Sequence, residues 1–119
     1  MAAVKDFPFR PAPEYEIWVA DVALFRLALW KQTADEDYFR GVPAIVIEVL
    51  SPANTASEMI DREATCLRHG GQEFWLVDPR RETANVIRAG GYSRVYNAAS
   101  AIESVLLRGR IAVRDIFAR

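Results

Sequence analysis

Apolar residues along this chain cluster in short runs separated by Gly, Pro and charged positions, and residues 44–78 carry the clearest pattern. The segment AIVIEVL, residues 44–50, is an apolar run interrupted once, by Glu48, and closed by Ser51-Pro52. A short run rich in Val and Ile that stops at such a turn predicts a strand buried on both faces. Thr55-Ala56-Ser57-Glu58 has the spacing of a capping box, in which the Thr hydroxyl and the Glu carboxylate each satisfy a free backbone N–H. A helix is therefore predicted over residues 56–69, ended by Gly70-Gly71, which supplies a left-handed residue. Residues 72–78 return as a second apolar strand that stops at Pro79. Strand, helix and strand within this length match a βαβ crossover.

Upstream, residues 1–13 hold three prolines and no helical period. That predicts an extended N-terminal arm, residues 1–14, ahead of a single domain over 15–119. Residues 15–20 and 22–30 read as strands, either one long bent strand or a hairpin. Alternation places Trp18, Ala20, Val22 and Leu24 on one face and Val19, Asp21, Ala23 and Phe25 on the other. Residues 31–41, with Asp35-Glu36-Asp37, read as a solvated loop or short turn. Downstream, residues 82–88 and 92–96 flank Ala89-Gly90-Gly91, a hairpin signal. Residues 104–107 predict a short strand and 111–117 a closing turn of helix. The expected fold is α/β (α+β), a mixed β-sheet with one principal crossover helix.

Composition narrows the class. At 119 residues, half apolar and a quarter charged, the chain suits one domain with a modest core. No apolar stretch approaches the ~20 residues a membrane helix needs, and residues 1–16 lack a signal-peptide core. A cytoplasmic protein without membrane partners is expected. One Cys (Cys66) and one His (His69) exclude an internal disulfide and a zinc constellation. Residues 1–78 carry 7 basic and 13 acidic side chains, whereas residues 79–119 carry 8 Arg and 3 acids. Either an acidic half could hold a metal beside an Arg-rich half that touches phosphate, or folding intermixes the two on one surface.

Glu48 and Asp21 are carboxylates set among apolar strand residues. An isolated ionised carboxylate in a dry sheet costs several kcal/mol or neutralises itself. Three arrangements relieve that cost: strand ends that reach water, pairing with a cation such as Arg62, or coordination of a divalent metal. Oxygen ligands at a strand end, with positions left for water and phosphate, suit Mg²⁺.

Four segments in order, WVADVALF, DYFRGVPAIVIEVLSPAN, GGQEFWLVDP and RDIF, resemble the Uma family of restriction-endonuclease-like proteins, a branch of the PD-(D/E)XK nuclease superfamily. The resemblance covers residues 15–119. It implies a shortened form, since family members carry a further N-terminal helix and strands. It departs at Ala20 and Ala44, where the family often has Pro and Asp. The resemblance implies that Asp21 is the first acidic ligand and Glu48 the second, with the carbonyl oxygen of Val49 completing a Mg²⁺ (or Mn²⁺) site. The superfamily's lysine would fall at Leu50. In this family a lysine on the following helix takes its place, and the matching position is Arg62.

That substitution matters, because a guanidinium stays protonated and cannot accept a proton from water. Arg62 could stabilise transition-state charge, or it could pair with Glu48 and fill the site. The resemblance therefore implies a metal-dependent endonuclease acting on DNA, weakened or inactivated by Arg62. The alternative is a non-catalytic nuclease-like module for dimerisation or nucleic-acid binding, with Arg62 as the counter-ion of Glu48. A homodimer is expected for either, given a small core and sheet edges to protect. Met59, Ile60, Ala64 and Leu67 mark the inward helix face, leaving Glu58, Asp61 and Glu63 outside. Cys66 and Trp75 read as packing residues, His69 as a helix-end residue and Ser51 as part of a turn.

Overall fold

The computed structural model describes residues 2–26, 38–104 and 106–117. In chain order its elements are β1 (Ala2–Arg10), β2 (Trp18–Phe25), β3 (Phe39–Arg40), β4 (Ile45–Val49), α1 (Ala56–Arg68), β5 (Glu73–Asp78), β6 (Thr83–Arg88), β7 (Tyr92–Tyr96), β8 (Ala101–Ser104), β9 (Gly109–Ala112) and α2 (Val113–Ile116). The first seven strands form one sheet in the order β3-β1-β2-β4-β5-β6-β7, and β8 and β9 form a separate hairpin.

The predicted crossover forms the middle of that sheet. β4 and β5 lie side by side in parallel, from Ile45↔Glu73 to Val49↔Val77, and α1 connects them. Thr55 caps the helix by accepting the Glu58 N–H at 3.1 Å. At the other end Gly70 takes φ +106°, and the Gly71 N–H donates back to the Cys66 carbonyl at 2.9 Å. This pairing satisfies a carbonyl that the helix end would otherwise leave free. A Cβ on Gly71 would stand 2.8 Å from the Cys66 oxygen and 2.9 Å from Val42 Cγ1. Gly71→Ala is accordingly expected to cost about 1–3 kcal/mol of stability, read from urea unfolding midpoints at unchanged m-value.

Two apolar layers cover the sheet. On the helix side, Phe7, Phe9, Ala20, Ala23, Phe25, Val46, Cys66, Phe74 and Ile87 pack together. On the other side, Ile45, Trp75, Val77, Ala84, Val86 and Tyr96 pack against Ile102 and Val113 of the β8–β9 hairpin and α2. The strand faces follow from the pairing: Val46 and Phe74 point to the helix, Ile45 and Trp75 away from it.

Several expectations change. The extended segment at residues 1–14 is not a free arm: β1 pairs with β2 from Ala2↔Phe25 to Phe9↔Trp18 and buries Phe7 and Phe9. Tertiary packing of two phenylalanines outweighs the local signal of the prolines. β2 is one strand, but its alternation breaks. Trp18 and Ala20 join Ala23 and Phe25 on the helix side, while Val19 is exposed. The break sits at Asp21, opposite Asp6, whose φ of +48° turns β1 over at the same step. Register is kept on both sides, Lys5↔Val22 and Phe7↔Ala20. Aspartate tolerates this left-handed backbone better than most residues.

Within the loop expected at 31–41, Phe39–Arg40 forms β3 and pairs in parallel with β1. Residues 27–30 of the predicted strand, and the acidic run 35–37, lie outside the described residues. The short strand expected at 104–107 is displaced to Ala101–Ser104, with Gly109–Ala112 as its partner. On α1 the buried row is Met59, Thr65 and Cys66, and Ile60 is 62% exposed. The helix is thus rotated from its most apolar stripe, which turns Arg62 toward the sheet.

Candidate active site

β2 and β4 run antiparallel through Leu24↔Ile45, Ala23↔Val46 and Val22↔Ile47. One step further the same register sets Asp21 opposite Glu48, and there the ladder stops. The Asp21 side chain takes over the backbone's role: its Oδ2 accepts the Val49 N–H at 2.7 Å. Glu48 shares the helix-facing side of β4 with Val46 and is only 6% exposed. The Asp21 carboxylate lies near enough to Glu48 to oppose its ionisation. Residues 27 apart in the chain therefore converge where one strand turns over and the next one ends.

Arg62 reaches the pair from α1. Its Nη1 stands 3.4 Å from Glu48 Oε1, at the long end of a hydrogen bond. Its guanidinium lies 5.5 Å from the centre of the Trp18 ring. Trp18 is there because of the alternation break, which moves it onto the helix side of β2. It is held edge-on by Phe9 at 6.0 Å and Tyr15 at 5.8 Å, and Tyr15 also meets His69 at the helix end at 5.4 Å.

Electrostatics in this corner are strained. Burial pushes the Glu48 carboxyl up from 4.5 to about 7; Arg62 opposes the shift, while the charge of Asp21 and the bond to its side chain reinforce it. Burial, with the Glu48 charge adding to it, also pushes the Cys66 thiol up to about 12. At neutral pH Cys66 is a packing group rather than a nucleophile.

The sequence-derived residues Asp21, Glu48, Val49 and Arg62 thus come together. Val49 contributes its N–H to Asp21 as the last residue of β4. Among the described residues, no group of three or more His, Cys, Asp or Glu side chains is arranged to hold a metal. The available donors are the two carboxylates and neighbouring backbone oxygens. A cleft of about 620 Å³ lies at the carboxyl ends of β4 and β5, lined from Leu50 onward and rimmed by Asp78, Arg80 and Arg81; Asp21, Glu48 and Arg62 are not part of its lining.

One buried carboxylate escapes the sequence reading. Glu73, at the start of β5, accepts from Trp75 Nε1 at 2.8 Å and Ser104 Oγ at 3.2 Å, and Arg88 Nε stands 4.0 Å away. It faces the β8–β9 hairpin and secures that hairpin to the sheet. The available signal was the same as for Glu48, an acid at the edge of an apolar run, but Glu73 sits at a strand start where solvent exposure is the ordinary outcome.

Comparison with known proteins adds two findings. The model of the family described as "Uma2: Putative restriction endonuclease" matches residues 1–110. A solved structure titled "Crystal structure of a putative nuclease belonging to DUF820", from Anabaena variabilis ATCC 29413, superposes with a TM-score of 0.79 at 22% identity, covering 97% of this chain. This chain spans 66% of that one's length. No curated protein is matched. Among the described residues no helix is long and apolar enough to cross a membrane.

Proposed function

Because the chain belongs to the Uma2 family, whose fold it shares, we propose that it is a metal-dependent endonuclease hydrolysing DNA phosphodiester bonds. Asp21 and Glu48 are its acidic ligands and Arg62 is its third member. The observation that carries this reading is the convergence of Asp21 and Glu48 from adjacent strands, one step past the Val22↔Ile47 pair and fastened there by the Asp21 bond to the Val49 N–H.

The donor set fits a hard divalent cation. Two like-charged carboxylates brought together in a half-dry corner favour a neutralising cation, and Mg²⁺ takes one or two carboxylates plus waters and substrate phosphate. Asp21 keeps one oxygen beyond the one that accepts the Val49 N–H, and the Val49 carbonyl is a candidate third ligand. When bound, the metal supplies polarisation of the scissile phosphate and a lowered pKa for a coordinated water. Arg62 stabilises negative charge that develops on the phosphate, and Trp18 restrains its guanidinium. Arg62 does not take the proton from water, because a guanidinium stays charged. Low activity follows from that chemistry.

A second reading rests on the Arg62–Glu48 contact at 3.4 Å. Here the arginine occupies the cation's place, and the protein is a non-catalytic nucleic-acid-binding or dimerisation module. Calorimetric titration with Mn²⁺ and Mg²⁺ separates the two. The nuclease reading expects binding that Asp21→Asn weakens and Glu48→Ala removes. Asparagine can still accept the Val49 N–H, so the first variant removes charge without unfastening the strand. Absence of binding, or affinity that both variants leave unchanged, sinks the nuclease reading.

A further inference from the structure

The Arg-rich C-terminal segment does not spread evenly over the surface. Arg88, Arg94 and Arg110 line one groove of about 400 Å³ between the β6–β7 edge of the sheet and the β8–β9 hairpin, with Tyr92, Tyr96 and a single acid, Glu103. The pairings Ala84↔Tyr96, Val86↔Arg94 and Arg88↔Tyr92 put these side chains on the face of Ala84 and Val86, away from α1, Asp21 and Glu48. The groove is therefore separate from the candidate active site and does not depend on the function proposed for it.

Its three arginines are held differently. Arg88 is fixed, with Nη2 donating to the Glu103 carbonyl at 2.7 Å and its guanidinium 5.4 Å from the Tyr92 ring centre. Arg94 lies over the Tyr96 ring at 4.8 Å and makes no ion pair or side-chain hydrogen bond among the described residues. Arg110 meets Glu103 at 3.5 Å with both side chains 71% exposed, a contact worth little in water. Two exposed guanidiniums are thus available to anions, and stacking on an aromatic ring pre-orients one of them. Tyr92 is 52% exposed, which leaves part of its ring accessible at the sheet's edge.

We propose that this groove binds single-stranded nucleic acid, with Arg94 and Arg110 on consecutive phosphates and Tyr92 stacked under an unpaired base. A cationic groove with an accessible aromatic ring is the usual means of holding a single strand without reading its sequence. An acidic peptide would match the charge and leave the ring unused. A duplex would match the charge and keep its bases from the ring.

The test is fluorescence anisotropy of a labelled mixed-sequence DNA single strand with the full chain in EDTA, so that cleavage plays no part. Arg94→Gln with Arg110→Gln is expected to weaken binding roughly tenfold and to flatten the log K against log salt slope by roughly 1.4, the value for two lost phosphate contacts. Tyr92→Ala is expected to weaken it at least ~fivefold. Arg26→Gln with Arg68→Gln, an equal change of charge at exposed positions away from both the groove and the candidate active site, is the control. Circular dichroism verifies that each variant folds. The proposal fails if the wild type does not bind, if the control pair weakens binding as much as the groove pair, or if Tyr92→Ala changes nothing. It also fails if inorganic phosphate at equal phosphate concentration displaces the strand, or if a duplex of the same sequence binds as tightly.

Discussion

Glu48→Gln is expected to move activity and stability in opposite directions. In Mg²⁺, cleavage should fall by about 10³-fold, since a metal's charge contributes several kcal/mol to a phosphoryl transition state and glutamine is a poor ligand for it. Without metal, at pH 8, the same variant should melt higher than the wild type. The sign follows from proton binding. The Glu48 carboxyl lies near 4.5 in the unfolded chain and near 7 when folded. Between those values the folded state holds a proton that the unfolded state has lost, so stability declines as pH rises through this window. Above pH 7 the loss is complete, roughly 3 kcal/mol at about 1.4 kcal/mol per pH unit. Below pH 4.5 it is absent, and the two proteins should melt together. Added Mg²⁺ should stabilise the wild type alone, since ligand binding to the folded state raises its melting temperature. A variant that still cleaves, or that melts below the wild type at pH 8, contradicts the assignment of Glu48.

Arg62→Lys is expected to raise plasmid nicking by about 10²-fold, within the range that a positioned proton-transfer or water-orienting group contributes. Lysine presents a compact ammonium that can orient water and, once neutral, accept a proton, whereas a guanidinium cannot. The change should lower stability slightly, because the guanidinium stacked on Trp18 at 5.5 Å is lost, a contact worth about 0.5–1 kcal/mol at a partly exposed site. This variant also provides the background in which loss of activity from Glu48→Gln is easiest to see. Nicking that does not rise favours the non-catalytic module, with Arg62 serving as the counter-ion of Glu48.

The legible parts of the molecule are those whose signals are local. The crossover from β4 through α1 to β5 was readable because cap, apolar runs and terminating glycines lie within a few residues of what they control. The carboxylates were readable for a related reason, since an acid inside an apolar strand is conspicuous whatever it pairs with. What stayed hidden depends on distant partners. β1 carries Pro8 and a charged Lys5-Asp6 step, which speak against a strand until Phe7 and Phe9 find β2 and the helix-side core. WVADVALF alternates well enough that nothing within it marks the turnover at Asp21. The rotation of α1 was misjudged through Ile60 and Ala64, whose apolar character suggests burial while the sheet instead receives Thr65 and Cys66. Glu73 was missed because its partners, Ser104 and Arg88, lie on other strands.

The left-handed backbone of Asp6 makes a residue without assigned chemistry a gatekeeper for the whole reactive corner. If β1 stayed regular there, Trp18 would remain on the wrong side of its strand and Arg62 would lose its aromatic backing. Only Gly, Asn or Asp accept that conformation readily, and β-branched residues resist it. Among relatives, then, the amino acid at this one position offers a way to sort chains that can assemble the corner from those that keep the acids yet cannot bring an arginine to bear on them.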